Sequence, residues 1–151
     1  MHKISDNFSR DEFLTSGVAA RMGYQIALDR YVLENLERLV ETVLQPARTA
    51  VGRPFVITSG YRPPWLNRAV KGALDSRHLY GCAADFKVPG IDLGKAFGII
   101  KDLALPVDQL ILEDAPAGWI HAGIALPGEA PRAQYMIANR TADGLMRFEN
   151  V

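Results

Sequence analysis

The most informative stretch of this chain is SRHLYGCAAD, residues 76–85. It places His78 seven residues before Asp85, with Gly81 between them. We predict that residues 83–88 form a strand carrying Asp85, and that His78 lies in the turn before it, where Gly81 lets the backbone bend tightly. One loop and one strand would then hold an imidazole and a carboxylate together.

A second histidine, His121, follows in the segment GWIHA, residues 118–122. The chain has 3 histidines in all, and the remaining one, His2, lies beside the first residue. Two histidines and one carboxylate are a common ligand set for catalytic zinc, with the fourth position left open for water. We therefore predict one zinc ion, held by His78, Asp85 and His121.

The segments before and after this stretch predict helices. Apolar residues recur at three- and four-residue spacing over residues 28–49, and Pro46 near the end is expected to kink or shorten that helix. Its buried stripe is expected to contain Leu33, Leu36, Val40, Val43 and Ala47. A further helix begins after the capping residue Ser9, and others are predicted over residues 65–70 and 93–103.

Runs rich in β-branched and aromatic residues predict the strands. They cover residues 54–59, 83–88, 107–113, 119–125, 134–138 and 145–148. The third and fourth of these are expected to form a hairpin. The sequence thus predicts an α+β fold in one domain, residues 1–151, with N-terminal helices packed on a small antiparallel sheet that carries the zinc site.

Composition narrows the classes of function. The chain has 151 residues, and its 17 basic residues balance its 17 acidic ones, so charge gives no case for binding nucleic acid or an anionic membrane. It has no apolar run long enough to enter a membrane and no signal peptide at its N-terminus, so we expect synthesis in the cytoplasm. The chain has 1 cysteine, Cys82, so it cannot form an intrachain disulfide.

Two further residues complete a hydrolytic site. Glu113 ends the strand before the His121 strand, so it can lie near the metal and take the proton of a bound water. Alternation along the strand turns Asp114 to the opposite face. Arg62 precedes two prolines in a stiff loop, and its guanidinium can bind a carbonyl oxygen or a carboxylate.

Three motifs in this order resemble a known family. They are SGYR (residues 59–62), SxHxxGxAxD (residues 76–85) and WxH (residues 119–121). Over about residues 8–125 the chain resembles the zinc D-alanyl-D-alanine carboxypeptidases and their endopeptidase relatives, the LAS metallopeptidases. It is most similar to the small members found in bacteriophages and prophages.

The resemblance implies roles for these residues. His78, Asp85 and His121 would bind zinc, and Glu113 would be the general base. Arg62 would bind the substrate carbonyl, and Ser76 would support the site and contact substrate. Trp119 is expected to line the substrate cleft.

The resemblance also implies a substrate and a setting. The substrate would be peptidoglycan peptides, often with D-residues, and other phage tail or virion proteins are possible partners. The protein would act on the cell wall after release from the cell or as part of a phage particle.

Three alternatives compete with this interpretation. A virion or tail module could keep the fold, and even the metal, without turnover. Iron(II) oxygenases also use two histidines and a carboxylate, but their carboxylate usually lies two residues from the first histidine rather than seven. Cys82 could pair with a histidine as a nucleophile, although the sequence offers no third group to orient such a pair.

Overall fold

The computed structural model describes residues 2–151, which form the predicted α+β fold. The α-helices are α1 (Gly17–Arg21), α2 (Arg30–Leu39), α3 (Gln45–Val51), α4 (Pro64–Ala69) and α5 (Leu93–Asp102). The strands are β1 (Val56–Ser59), β2 (Ala83–Lys87), β3 (Gln109–Glu113), β4 (Trp119–Gly123), β5 (Gln134–Arg140) and β6 (Met146–Asn150). Two short 3₁₀-helices, Arg10–Leu14 and Arg77–Tyr80, and a π-helical turn, Val40–Leu44, complete the regular structure.

The six strands form one sheet in the order β1-β2-β4-β3-β5-β6. The predicted antiparallel sheet is wrong in one respect, because β5 pairs parallel to β3 and the sheet is mixed. The chain leaving β4 returns to the start of β3, where the Ala133 and Gln134 N–H groups donate to the carbonyls of Val107 and Asp108. The parallel register therefore begins at that end. The predicted β3–β4 hairpin is confirmed.

Pro46 changes the predicted long helix without ending it. A turn of π-helix, Val40–Leu44, lies between α2 and α3, and the Gln45 N–H donates to the Val40 carbonyl. Proline lacks an N–H, and its ring collides with the carbonyl four residues earlier in a regular α-helix. The wider π turn relieves this collision, as such bulges do elsewhere.

The helices cover one face of the sheet and leave the other face for the site. Leu36, Val40, Val43 and Ala47 are buried as predicted, whereas Leu33 is only half-buried. The sheet residues in that core include Ala84, Phe86, Leu110, Leu112, Ile120 and Ala122. Successive side chains of a strand point to opposite faces, so Asp85, His121 and Glu113 face away from the helices.

Within residues 2–151, no helix is both long enough and apolar enough to cross a lipid bilayer.

Candidate metal centre

The pairing of β2 with β4 brings two of the predicted ligands together. Asp85 lies directly opposite His121 in the antiparallel register. Directly opposed side chains lie about 5 Å apart at Cβ, within reach of one shared ion. The Asp85 Oδ1 to His121 Nδ1 distance is 2.8 Å.

His78 reaches the same point from the 3₁₀-helix before β2. Gly81 ends this helix at φ +72°, and a Cβ there would lie 2.7 Å from the Val32 carbonyl oxygen of α2. Only glycine fits such a position without strain. The tight turn places His78 Nε2 3.3 Å from Asp85 Oδ1.

A backbone carbonyl fixes the tautomer of His78. The distance from its Nδ1 to the Gly60 carbonyl oxygen is 2.7 Å, and a carbonyl can only accept, so Nδ1 carries the hydrogen. The Nε2 lone pair then faces Asp85. Such a hydrogen bond behind a ligating imidazole is characteristic of metal sites. A Cβ at Gly60 would lie 2.5 Å from the Phe13 Cα, which explains glycine there.

The three side chains fit a metal ion as a set. One ligand atom from each of His78, Asp85 and His121 lies within 4.8 Å of the others. Two imidazole nitrogens and a carboxylate oxygen match a three-ligand catalytic zinc site, and they come from two strands and a turn that the sheet holds rigid. The predicted cluster is therefore assembled by the fold.

Electrostatics prepare this cluster for a cation. Burial lowers the pKa of His78, which favours the neutral form that binds metals. Burial opposes charge on Asp85 too, but attraction to His78 and a hydrogen bond from His121 hold its pKa well below the usual range. For His121, the hydrogen bond and charge of Asp85 outweigh burial and raise the pKa. Because a metal binds the neutral imidazole, a bound cation and a proton compete for His121.

Glu113 faces the same side of the sheet as the cluster. Ile111 lies opposite His121, and Glu113 is two residues further along β3, so it is a diagonal neighbour of His121 at roughly 7 Å. Burial, and then the negative charge of Asp85, raise the pKa of Glu113. Asp114 instead accepts a hydrogen bond from the Arg140 N–H at 2.7 Å, which anchors β5.

Arg62 borders the cluster, and Asp85 and Glu113 attract its charge without forming a direct ion pair with it. Its backbone N–H donates to the His78 carbonyl at 2.9 Å, and its Nη2 donates to Ser76 Oγ at 3.2 Å. In the described part of the chain, no carboxylate lies within ion-pair distance of its guanidinium, and its Nε is buried without a partner. Burial lowers the pKa of Arg62, but arginine stays charged in proteins.

Ser76 and Trp119 complete the surroundings. Ser76 Oγ accepts hydrogen bonds from Arg62 and from the His78 N–H, which leaves its hydroxyl hydrogen free to donate. Trp119 lies directly opposite Glu113, and its indole N–H is buried without a partner at good hydrogen-bond geometry. The indole N–H is still close enough to the Glu113 carboxylate to offset part of the rise in its pKa. Ser76 and Trp119 both line the cleft, as expected of residues that bind substrate.

All the predicted site residues line one cleft of about 640 Å³. Several residues that were not predicted line it too, among them Arg77, Arg132, Met136, Met146 and Phe148. Arg77 lies within the SxHxxGxAxD motif, so its position in the sequence indicates a residue near the site. The other four come from the returning loop and the last two strands, whose position depends on the parallel pairing.

Cys82 does not belong to this cleft. It is fully buried in the core between the sheet and the helices. Burial raises the pKa of its thiol, whereas a nucleophilic cysteine needs a lowered one. The cysteine-nucleophile alternative therefore has no geometric support.

A comparison with protein families matches residues 6–121 of the chain, more than half its length, to a family described as Peptidase M15. A comparison with curated proteins finds no match.

Proposed function

Because the chain belongs to the peptidase M15 family, a family of zinc-dependent metallopeptidases, we propose that it hydrolyses peptide bonds in peptidoglycan. The observation that carries this proposal is the cluster of His78, Asp85 and His121, whose ligand atoms lie within 4.8 Å of one another. Glu113 and Arg62 flank this cluster in one cleft. This combination of ligands, acid and arginine is typical of a hydrolytic site and not of a structural metal site.

His78 Nε2, the Asp85 carboxylate and His121 Nδ1 would hold the zinc. Zinc bound there supplies a Lewis acid that lowers the pKa of water towards 7 and polarises a carbonyl. The Gly60 carbonyl keeps His78 in the ligating tautomer, and the β2–β4 pairing keeps Asp85 beside His121. These contacts hold the three ligands of the proposed zinc site rigidly in place.

Glu113 moves the proton in this mechanism. Its carboxylate takes a proton from the attacking water as the new C–O bond forms at the scissile carbonyl. It then delivers that proton to the leaving amine as the C–N bond breaks. Burial raises the pKa of Glu113, which suits a group that must both accept and donate a proton near neutral pH.

Arg62, Ser76 and Trp119 orient the substrate. The Arg62 guanidinium, buried and without a carboxylate partner, binds the carbonyl oxygen as negative charge develops on it. Ser76, whose hydroxyl hydrogen is free to donate, and Trp119 also line this cleft. Each satisfies a substrate oxygen that would otherwise lose its water partner.

The substrate and setting rest on the motif resemblance. We propose that the bond cleaved belongs to a stem or cross-link peptide of peptidoglycan, in a carboxypeptidase or endopeptidase reaction. We further propose that the protein is a phage or prophage lysin, delivered at lysis or with a virion. A cleft of about 640 Å³ accommodates a short peptide.

The test is mass spectrometry of peptidoglycan digested by the zinc-loaded protein. We expect new fragments whose masses identify one hydrolysed peptide bond, and the Glu113→Gln variant should release them at least about 10²-fold more slowly at equal zinc content. Cys82→Ala is the matched control and should still cleave. If zinc-loaded wild-type protein releases no fragment from any peptidoglycan preparation, the proposed function is wrong.

A further inference from the structure

The cleft has two chemically different walls. On one side, the segment before β2 contributes charged residues, including Arg62, Asp75 and Arg77, together with the small apolar residues Val70 and Ala73. On the other side, the β5–β6 hairpin contributes Met136, Met146 and Phe148, which we call the apolar wall. This hairpin lies outside the residues matched by the family model.

The sheet register fixes where the apolar wall lies relative to the site. Ile111 is opposite His121 on one side and beside Met136 on the other. In the next row, Ala138 lies beside Glu113 and opposite Phe148. Two strand spacings separate Phe148 from Glu113, or roughly 10 Å. The apolar wall therefore lies on the β5–β6 side of the proposed base, on the same face of the sheet.

The apolar wall is only partly covered by the rest of the described chain. Phe148 is 54 % exposed although it lies on the concave face that holds the site. Ala138, between Phe148 and Glu113, is fully buried and does not line the cleft. An exposed aromatic ring beside two half-buried methionines is a place where an apolar side chain gains contact by leaving water.

The proposed mechanism decides which part of a substrate lies there. Glu113 delivers its proton to the leaving amine, so the residue that departs must lie on the Glu113 side of the cleft. Arg62 holds the carbonyl oxygen from the opposite side. We propose that the apolar wall is the subsite for the side chain of the leaving residue and selects an apolar one. This inference rests on the proposed function for the direction of the peptide.

Kinetics with matched peptides test the selectivity. Two peptides would differ only in the leaving residue, which is glycine in one and D-leucine in the other. In Phe148→Ala, kcat/KM for the D-leucine peptide should fall about tenfold or more while the glycine peptide changes little, as expected for lost apolar contact. The control is Leu145→Ala, because Leu145 is 65 % exposed and does not line the cleft. Equal losses for both peptides in Phe148→Ala would overturn the proposal.

A binding measurement tests the wall even if no peptide is cleaved. The chain has 4 methionines, so ¹³C-methyl labelling of methionine gives few signals. In zinc-loaded Glu113→Gln, the D-leucine peptide should shift the methyl signals of Met136 and Met146 more than the glycine peptide does. Met22, in a separate pocket with Tyr24 and Trp65, should not move. Binding without a shift at either cleft methionine would refute the subsite. Shifts in a protein that never hydrolyses peptide would instead contradict only the proposed function.

Discussion

Replacing Gly81 with alanine should destabilise the protein and weaken metal binding together. Gly81 has φ +72°, and a Cβ would lie 2.7 Å from the Val32 carbonyl oxygen and 2.9 Å from Val32 Cγ1. The left-handed conformation costs an alanine about 1–2 kcal/mol. The overlap with α2 adds about 1–3 kcal/mol, because the obstructing carbonyl belongs to a packed helix.

The sum is about 2–5 kcal/mol, which lowers Tm by roughly 5–15 °C in a chain of this size. The turn that Gly81 ends also holds His78, so relief of the clash should move His78 away from Asp85. We expect weaker zinc binding in Gly81→Ala, measured by calorimetric titration beside thermal unfolding followed by circular dichroism.

Two other glycines separate the contributions. Gly23 has φ +73°, and a Cβ added there would meet nothing within 4 Å, so Gly23→Ala should cost only the conformational share. Gly98 lies in α5 with open space around it, and Gly98→Ala should raise stability by about 0.5–1 kcal/mol. Neither change should alter zinc affinity. If Gly81→Ala costs no more than Gly23→Ala, the close contact with α2 does not constrain the turn.

The remaining predictions concern the site and the loop that carries β5. Glu113→Gln should lower kcat by about 10²–10⁴-fold with unchanged zinc stoichiometry, and an unchanged kcat would exclude Glu113 as the base. Because burial raises the pKa of Glu113 and the base must be ionised, kcat/KM should fall with decreasing pH through a pKa above the ordinary value of about 4.3; a limb at or below that value would contradict the assignment. Arg62→Ala should lower kcat about 10²-fold, more than it raises KM, as expected for a group that binds developing charge; a change in KM alone would limit Arg62 to ground-state binding. Asp108 accepts two hydrogen bonds from the Arg132 guanidinium, which depress its pKa, so Asp108→Asn should cost about 2 kcal/mol at pH 7 in urea unfolding; the loss should vanish as pH falls through the depressed pKa, and a loss independent of pH would assign it to packing.

Local signals in the sequence were sufficient to predict that His78 and Asp85 lie together, and the structure brings them within 3.3 Å. The spacing of His78, Gly81 and Asp85 encodes a tight turn followed by a strand, and each requirement is met within ten residues. His121 lies opposite Asp85 through the pairing of β2 with β4, which the β3–β4 hairpin does not set, and only the WxH motif indicated it in the sequence. The α+β class followed in the same way, because helical and strand periodicities are local properties.

Features that depend on distant pairing could not be predicted. The parallel alignment of β5 with β3 is set where the returning loop donates hydrogen bonds to the carbonyls of Val107 and Asp108. No short sequence motif indicates this pairing. The apolar wall was missed for the same reason, since Met136 and Phe148 enter the cleft only through that pairing. The hydrogen bond between the Gly60 carbonyl and His78 could not be predicted either, because a pattern of side chains does not indicate the partners of a backbone group.

Anomalous diffraction at the zinc edge from crystals of the zinc-loaded protein tests the central claim most directly. We predict one ion, about 2.0–2.1 Å from both His78 Nε2 and His121 Nδ1 and about 2.0–2.2 Å from an Asp85 oxygen, with an open position facing Glu113. An empty cluster in such crystals, whether or not an ion is bound elsewhere, would contradict the assignment of these three residues as the zinc ligands.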